Sequence, residues 1–131
     1  MSPIVGASPF GAGPEALLDV AYRVAEQGYQ PPPEVTLAAR EIAPDVGTLP
    51  PARLRAALEA VIMAPRLGDG LQWLHQSGVL AKVLPELDAT VDFSQEAGRR
   101  HKDVWEHTKQ VVIQSPARPI VRWSALLHDI G

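Results

Sequence analysis

Pro51-Ala52-Arg53-Leu54-Arg55-Ala56-Ala57-Leu58-Glu59-Ala60-Val61-Ile62-Met63 decides the fold class. Leu54, Ala57, Leu58, Val61 and Ile62 recur at spacings of three and four, which puts them on one face of an α-helix. Gly47-Thr48-Leu49-Pro50 is a stop in front of this helix. Upstream, Pro14 stands at a plausible first helical position with Glu15 favourable to the helix dipole. Leu17, Leu18, Ala21, Val24 and Ala25 then form one stripe that ends at Gly28. Pro31-Pro32-Pro33 stiffens the connection to a short helix, Glu34 to Ala43, carrying Val35, Leu37, Ala38 and Ile42.

Downstream, Gly68-Asp69-Gly70 introduces Leu71-Gln72-Trp73-Leu74-His75, broken at Gly78. Val79 to Leu84 is a further short turn ended by Pro85, and Asp88 to Gly98 reads as a loop without period. Two final helices are expected, about Lys102 to Gln114 and Arg118 to Ile130, around Ser115-Pro116-Ala117. No alternating run of β-branched residues occurs, so the expected class is all-α, with at least five helices.

The chain has 131 residues, 46% apolar and 21% charged, enough for one domain with a real core. A net charge of −3 does not suggest a general nucleic-acid binder, although Arg99-Arg100-His101-Lys102 is locally basic. Absence of cysteine excludes disulfides and thiolate-ligated metals. No run approaches the ~18 apolar residues of a membrane span, and Met1 to Gly13 has no secretory pattern. Membrane association is therefore not expected, and the cytoplasm is the default location. Residues 1–13, rich in Gly, Pro, Ser and Ala, are expected to be a disordered leader.

Chemistry concentrates at His128-Asp129-Ile130-Gly131, which ends the apolar run Ile120 to Leu127. An imidazole beside a carboxylate in apolar surroundings is costly unless something neutralises it, and a divalent ion suits both. On the preceding helix, Val104, His107, Thr108, Val111 and Val112 share a broad apolar side, so His107 is expected to face inward. Packed antiparallel through Pro116, the two helices could bring His107 to His128-Asp129. Consecutive residues diverge by about 100°, which lets that pair grip an ion from two sides. No Walker loop, GxGxxG, Ser-His-Asp order or HExxH is present.

Arg100-His101-Lys102-Asp103-Val104-Trp105-Glu106-His107-Thr108, followed by Arg122-Trp123-Ser124-Ala125-Leu126-Leu127-His128-Asp129-Ile130-Gly131, resembles the start of an HD-domain metal-dependent phosphohydrolase. That resemblance implies His107, His128 and Asp129 as metal ligands, Asp129 as the catalytic carboxylate, and a divalent cofactor (Mn, Mg, Ni, Co or Fe). His101, Arg100 and Lys102 become candidates for a substrate phosphate, with a solvated surface as the alternative. A nucleotide or RNA-end phosphoester is the implied substrate, hydrolysed with the ion polarising the phosphoryl oxygen.

Glu26-Gln27-Gly28-Tyr29, Leu49-Pro50-Pro51-Ala52-Arg53-Leu54, and Gly70-Leu71-Gln72-Trp73-Leu74 through Gly78-Val79-Leu80 to Leu84-Pro85-Glu86-Leu87 resemble the helical region that follows the head of bacterial tRNA nucleotidyltransferases and poly(A) polymerase-like proteins. The expected division is thus 1–13, 14–87 and 88–131, the last being the start of an HD domain. The nucleotidyltransferase head is not in this sequence, so nucleotide addition by the chain alone is not expected. The first helix reads Gly13-Pro14-Glu15-Ala16-Leu17-Leu18-Asp19 where the family has Asp-Pro and several arginines. The family's further lysine and distal Asp would lie beyond Gly131, leaving a site completed from there or from another subunit. The rival expectation is a non-catalytic module that binds RNA or a protein. Arg122 could reach a site mouth or merely snorkel. His75 reads as packing or surface, Trp105 and Trp123 as helix contacts. The helix Arg118 to Ile130, apolar on nearly all sides, is expected either to pair in a homodimer or to be covered by a further C-terminal portion.

Overall fold

A computed structural model describes residues 13–97 and 104–128 of the protein, without the side chains of 92–97. Eight α-helices are described: α1 (Pro14–Gln27), α2 (Pro33–Ile42), α3 (Pro51–Ile62), α4 (Leu67–Gln76), α5 (Val79–Val83), α6 (Pro85–Ala97), α7 (Val104–Gln114) and α8 (Pro119–Leu127). A 3-10 turn, Ala43–Thr48, follows α2. No strand occurs among the described residues, so the fold is all-α.

Prolines set much of this layout. α1, α2, α3, α6 and α8 each open on one, where the missing N–H costs nothing and φ is already helical. Gly28 closes α1 in the left-handed region (φ 75°), its N–H bonded to Val24 O at 3.0 Å.

α1 lies against α3 and α4, and these three helices make the centre of the core. Leu17, Ala21 and Ala25 of α1, Val61 and Ile62 of α3, and Leu71 and Leu74 of α4 are all buried. Gly70 makes the close approach possible. A Cβ there would sit 2.7 Å from Ala25 Cβ and 2.8 Å from Val61 Cγ1. α4 also reaches α2, where the Trp73 indole donates to Thr36 Oγ1 at 3.0 Å. α5 packs on the 3-10 turn and α6, α7 on α4, α6 and α8, and α8 on α3.

Two expectations are corrected. The stretch Asp88–Gly98 was expected to be a loop, yet α6 runs from Pro85 to Ala97. Pro85 starts that helix rather than only ending the previous one. Glu86 and Asp88 lie in its positive first turn. Leu87 and Val91, four apart, are both buried. α6 also crosses position 87/88, where the two resemblances divide. Secondly, α4 begins at Leu67, so Gly68 and Gly70 lie inside the helix rather than before it.

The last helix is also less bare than its composition implied. Leu126 is fully buried, and Trp123, Ala125 and Leu127 pack against the core. The Trp123 indole donates to Glu59 Oε1 of α3 at 2.9 Å, and Arg122 donates to Ile62 O at 2.8 Å and Ser115 O at 3.3 Å. Arg122 thus neither snorkels nor reaches a site mouth. It ties the end of α3 to the α7–α8 connection. Ile120, 80% exposed, remains outside this packing.

Candidate functional site

α7 and α8 pack together, and His107 and His128 approach across that contact with ring centroids 6.1 Å apart, edge to face. His128 Nδ1 lies 2.6 Å from Ala125 O. A carbonyl cannot donate, so Nδ1 carries the hydrogen and Nε2 is the nitrogen able to face an ion. Metal-binding imidazoles are commonly oriented by such a bond. Asp129, Arg100, His101 and Lys102 lie outside the described residues. Among the described residues, no group of three or more His, Cys, Asp or Glu side chains could hold a metal.

His107 does not face inward as expected; it is exposed. The buried stripe of α7 is Trp105, Thr108, Lys109 and Val112, shifted round the helix from the one that residue types suggested. Lys109 causes the shift. Its ammonium donates to Gln72 Oε1 at 2.8 Å and pairs with Glu106 at 2.7 Å. The Trp105 indole donates to the same Gln72 oxygen at 2.7 Å. Gln72 of α4 therefore pins α7 and sets the direction of His107 from the other side of the helix. Sequence reasoning missed this residue, because nothing in Leu71-Gln72-Trp73 signals partners on a helix more than thirty positions later. His75, read as packing or surface, pairs half-buried with Asp88 at 2.8 Å.

A second feature lies at the C-terminal end of α1. A cleft of ≈ 260 Å³ is lined by Gly28, Tyr29, Gln30, Thr36, Gln72 and Gln76, among others. The Arg23 guanidinium sits 4.2 Å from the Tyr29 ring centroid, a cation–π contact at its edge. Aromatic, amide and hydroxyl groups here share one polar concavity, chemistry suited to a nucleobase or a peptide rather than to an apolar ligand.

In sequence the chain is similar to tRNA nucleotidyltransferases. Residues 28–90 match the family described as "Probable RNA and SrmB-binding site of polymerase A". An A-adding tRNA nucleotidyltransferase of Deinococcus radiodurans is 36% identical over 109 residues, covering 76% of this chain and 25% of that protein. Multifunctional CCA proteins of Alkalilimnicola ehrlichii and Pseudomonas aeruginosa are 32% and 31% identical over 117 residues, covering 85% of this chain and 28% of theirs. The chain thus spans about a quarter of the length of these relatives. No solved structure matches it significantly. The similarity to HD-domain phosphohydrolases is not among these matches.

Proposed function

We propose that this chain is an RNA-binding helical module of a tRNA nucleotidyltransferase-like protein. The match of residues 28–90 to a probable RNA-binding region carries that reading. The matched stretch runs from the Gly28 stop of α1 through α2, α3, α4 and α5 into α6. It presents exposed Arg40, Arg55, Arg66 and Lys82 to solvent. Two of its carboxylates are already engaged, Glu59 by the Trp123 indole and Asp88 by His75. Phosphate contacts from such cations supply most sequence-independent affinity and make it salt-dependent. Equilibrium binding of the chain to a fluorescent tRNA tests this. A Kd on the order of 10⁻⁴–10⁻⁶ M that weakens with salt is expected. Absence of binding at low salt would overturn the reading.

A second reading, metal-dependent phosphoester hydrolysis of HD type, is favoured by one observation, the approach of His107 to His128. The donor set fits a divalent ion in part, since a second imidazole stands close and a backbone carbonyl orients His128. His107 and His128 would hold the ion, with Asp129 as the third donor. A bound ion would supply a water of lowered pKa. The chain's own contribution is to bring two exposed imidazole rings to 6.1 Å, one held by the Ala125 carbonyl and the other on α7, which Gln72 anchors. Ni²⁺ or Mn²⁺ should raise the unfolding midpoint of the wild type but not of His128→Ala. An equal response in both would remove this reading.

A further inference from the structure

Residues 28–90 contain Arg40, Arg53, Arg55, Arg66 and Lys82 against a larger number of carboxylates. A field of general positive charge is therefore absent. If this region takes RNA, as proposed above, phosphates must be met by a local arrangement. One cleft has that character. Between the 3-10 turn and α5 lies a cavity of ≈ 290 Å³ whose lining includes Ala43, Pro44, Gly78 and Ala81, with Arg40 and Lys82 as its two cations. Neither cation is in an ion pair or side-chain hydrogen bond among the described residues.

The lining is small because the backbone is close. Gly78 adopts φ +88°, and even a Cβ there would stand 3.3 Å from Ala43 Cβ. Gly47 adds an independent sign. Its φ is not positive, so the backbone does not require glycine there. What uses the space is Lys82, whose Cε lies 2.9 Å from where a Gly47 Cβ would be. The bare glycine leaves room for the Lys82 Cε against the 3-10 turn, with Nζ 3.8 Å from the same point.

The geometry points to this cleft as the seat of an RNA phosphodiester backbone, with Arg40 and Lys82 as the phosphate contacts. Small residues let the sugar-phosphate chain approach, and the two cations neutralise it. The contact reads no base edge, so it positions RNA without choosing its sequence.

The test is binding of single-stranded RNA oligonucleotides to the whole chain across a salt series. Each phosphate neutralised on a single strand contributes about 0.7 to the slope of log K against log salt. Arg40→Gln and Lys82→Gln should each flatten the slope by about that amount, and the double variant by about 1.4, equally for all base compositions. Gly47→Ala keeps the fold but displaces Lys82, so it should weaken binding while unfolding at the same or higher denaturant. Arg118→Gln, outside residues 28–90, should leave the slope alone. A wild type that binds no RNA defeats the underlying reading of function. A wild type that binds, with a slope unchanged in the double variant or equally flattened by Arg118→Gln, defeats this cleft alone. Displacement of RNA by inorganic phosphate at constant ionic strength would make a small anion the ligand, and would also overturn the assignment.

Discussion

Gly70→Ala sets two effects of known size against each other. Alanine in a helix interior is favoured over glycine by about 1 kcal/mol, so propensity alone predicts stabilisation. The new methyl group would stand 2.7 Å from Ala25 Cβ, 2.8 Å from Val61 Cγ1 and 3.4 Å from Ala25 Cα. Ala25 has no rotamer to change, and Val61 is itself buried at 1% exposure. Relief therefore requires α1 and α4 to separate, and overpacking of this kind costs about 1–3 kcal/mol. The clash offsets or exceeds the propensity gain, with a net loss of roughly 0–2 kcal/mol expected from these two terms. Gly68→Ala is the control on the same helix. Its methyl would meet only Ile113 Cδ1 at 3.3 Å, the end of a side chain 43% exposed and able to move. That variant should be neutral or slightly stabilised. Urea unfolding followed by circular dichroism at the helical band reads both. A Gly70→Ala protein stabilised by about 1 kcal/mol, as propensity alone predicts, would refute the account of how α1, α3 and α4 pack.

Gln72→Leu leaves the Trp105 indole without its acceptor and takes one acceptor from Lys109, and should cost about 1–3 kcal/mol by denaturant unfolding, whereas Gln72→Glu, which keeps the oxygen, should not. Arg122→Met removes the donors to Ile62 O and Ser115 O while keeping much of the side-chain bulk, and a loss of about 1–3 kcal/mol is expected in the same assay. Because α3 and α7 cover much of α8 and Ile120 alone of its large side chains stands 80% exposed, light scattering should report a monomer near 14.1 kDa. A stable dimer would restore the sequence-based expectation of helix pairing.

The helices that could be read from the sequence were those whose burial is one-sided and local. Leu17 to Ala25 and Leu54 to Ile62 carry a stripe that any helix of that sequence must hide, so α1 and α3 follow directly. α6 was illegible because Asp88, Ala89, Thr90 and Asp92 dilute its stripe to Leu87 and Val91, and the signal for its start is the same Pro85 that ends α5. His107 was misdirected for a related reason. The direction of α7 depends on whether Lys109 is counted as polar surface or as a buried donor, and Gln72, distant in sequence, decides that. The approach of His107 to His128 was legible because it needs only two adjacent helices and the short turn at Pro116. The cleft of Arg40 and Lys82 was not, since it forms between a 3-10 turn and a five-residue helix, neither with a period to read.

Hydrogen exchange of the 131-residue chain with and without bound tRNA tests the central claim most directly, because it shows where the RNA lies. Protection confined largely to residues 28–90, strongest at the 3-10 turn and α5, is the predicted result. Protection restricted to α7 and α8, or none at saturating tRNA, would contradict the assignment of this region as the RNA-binding surface.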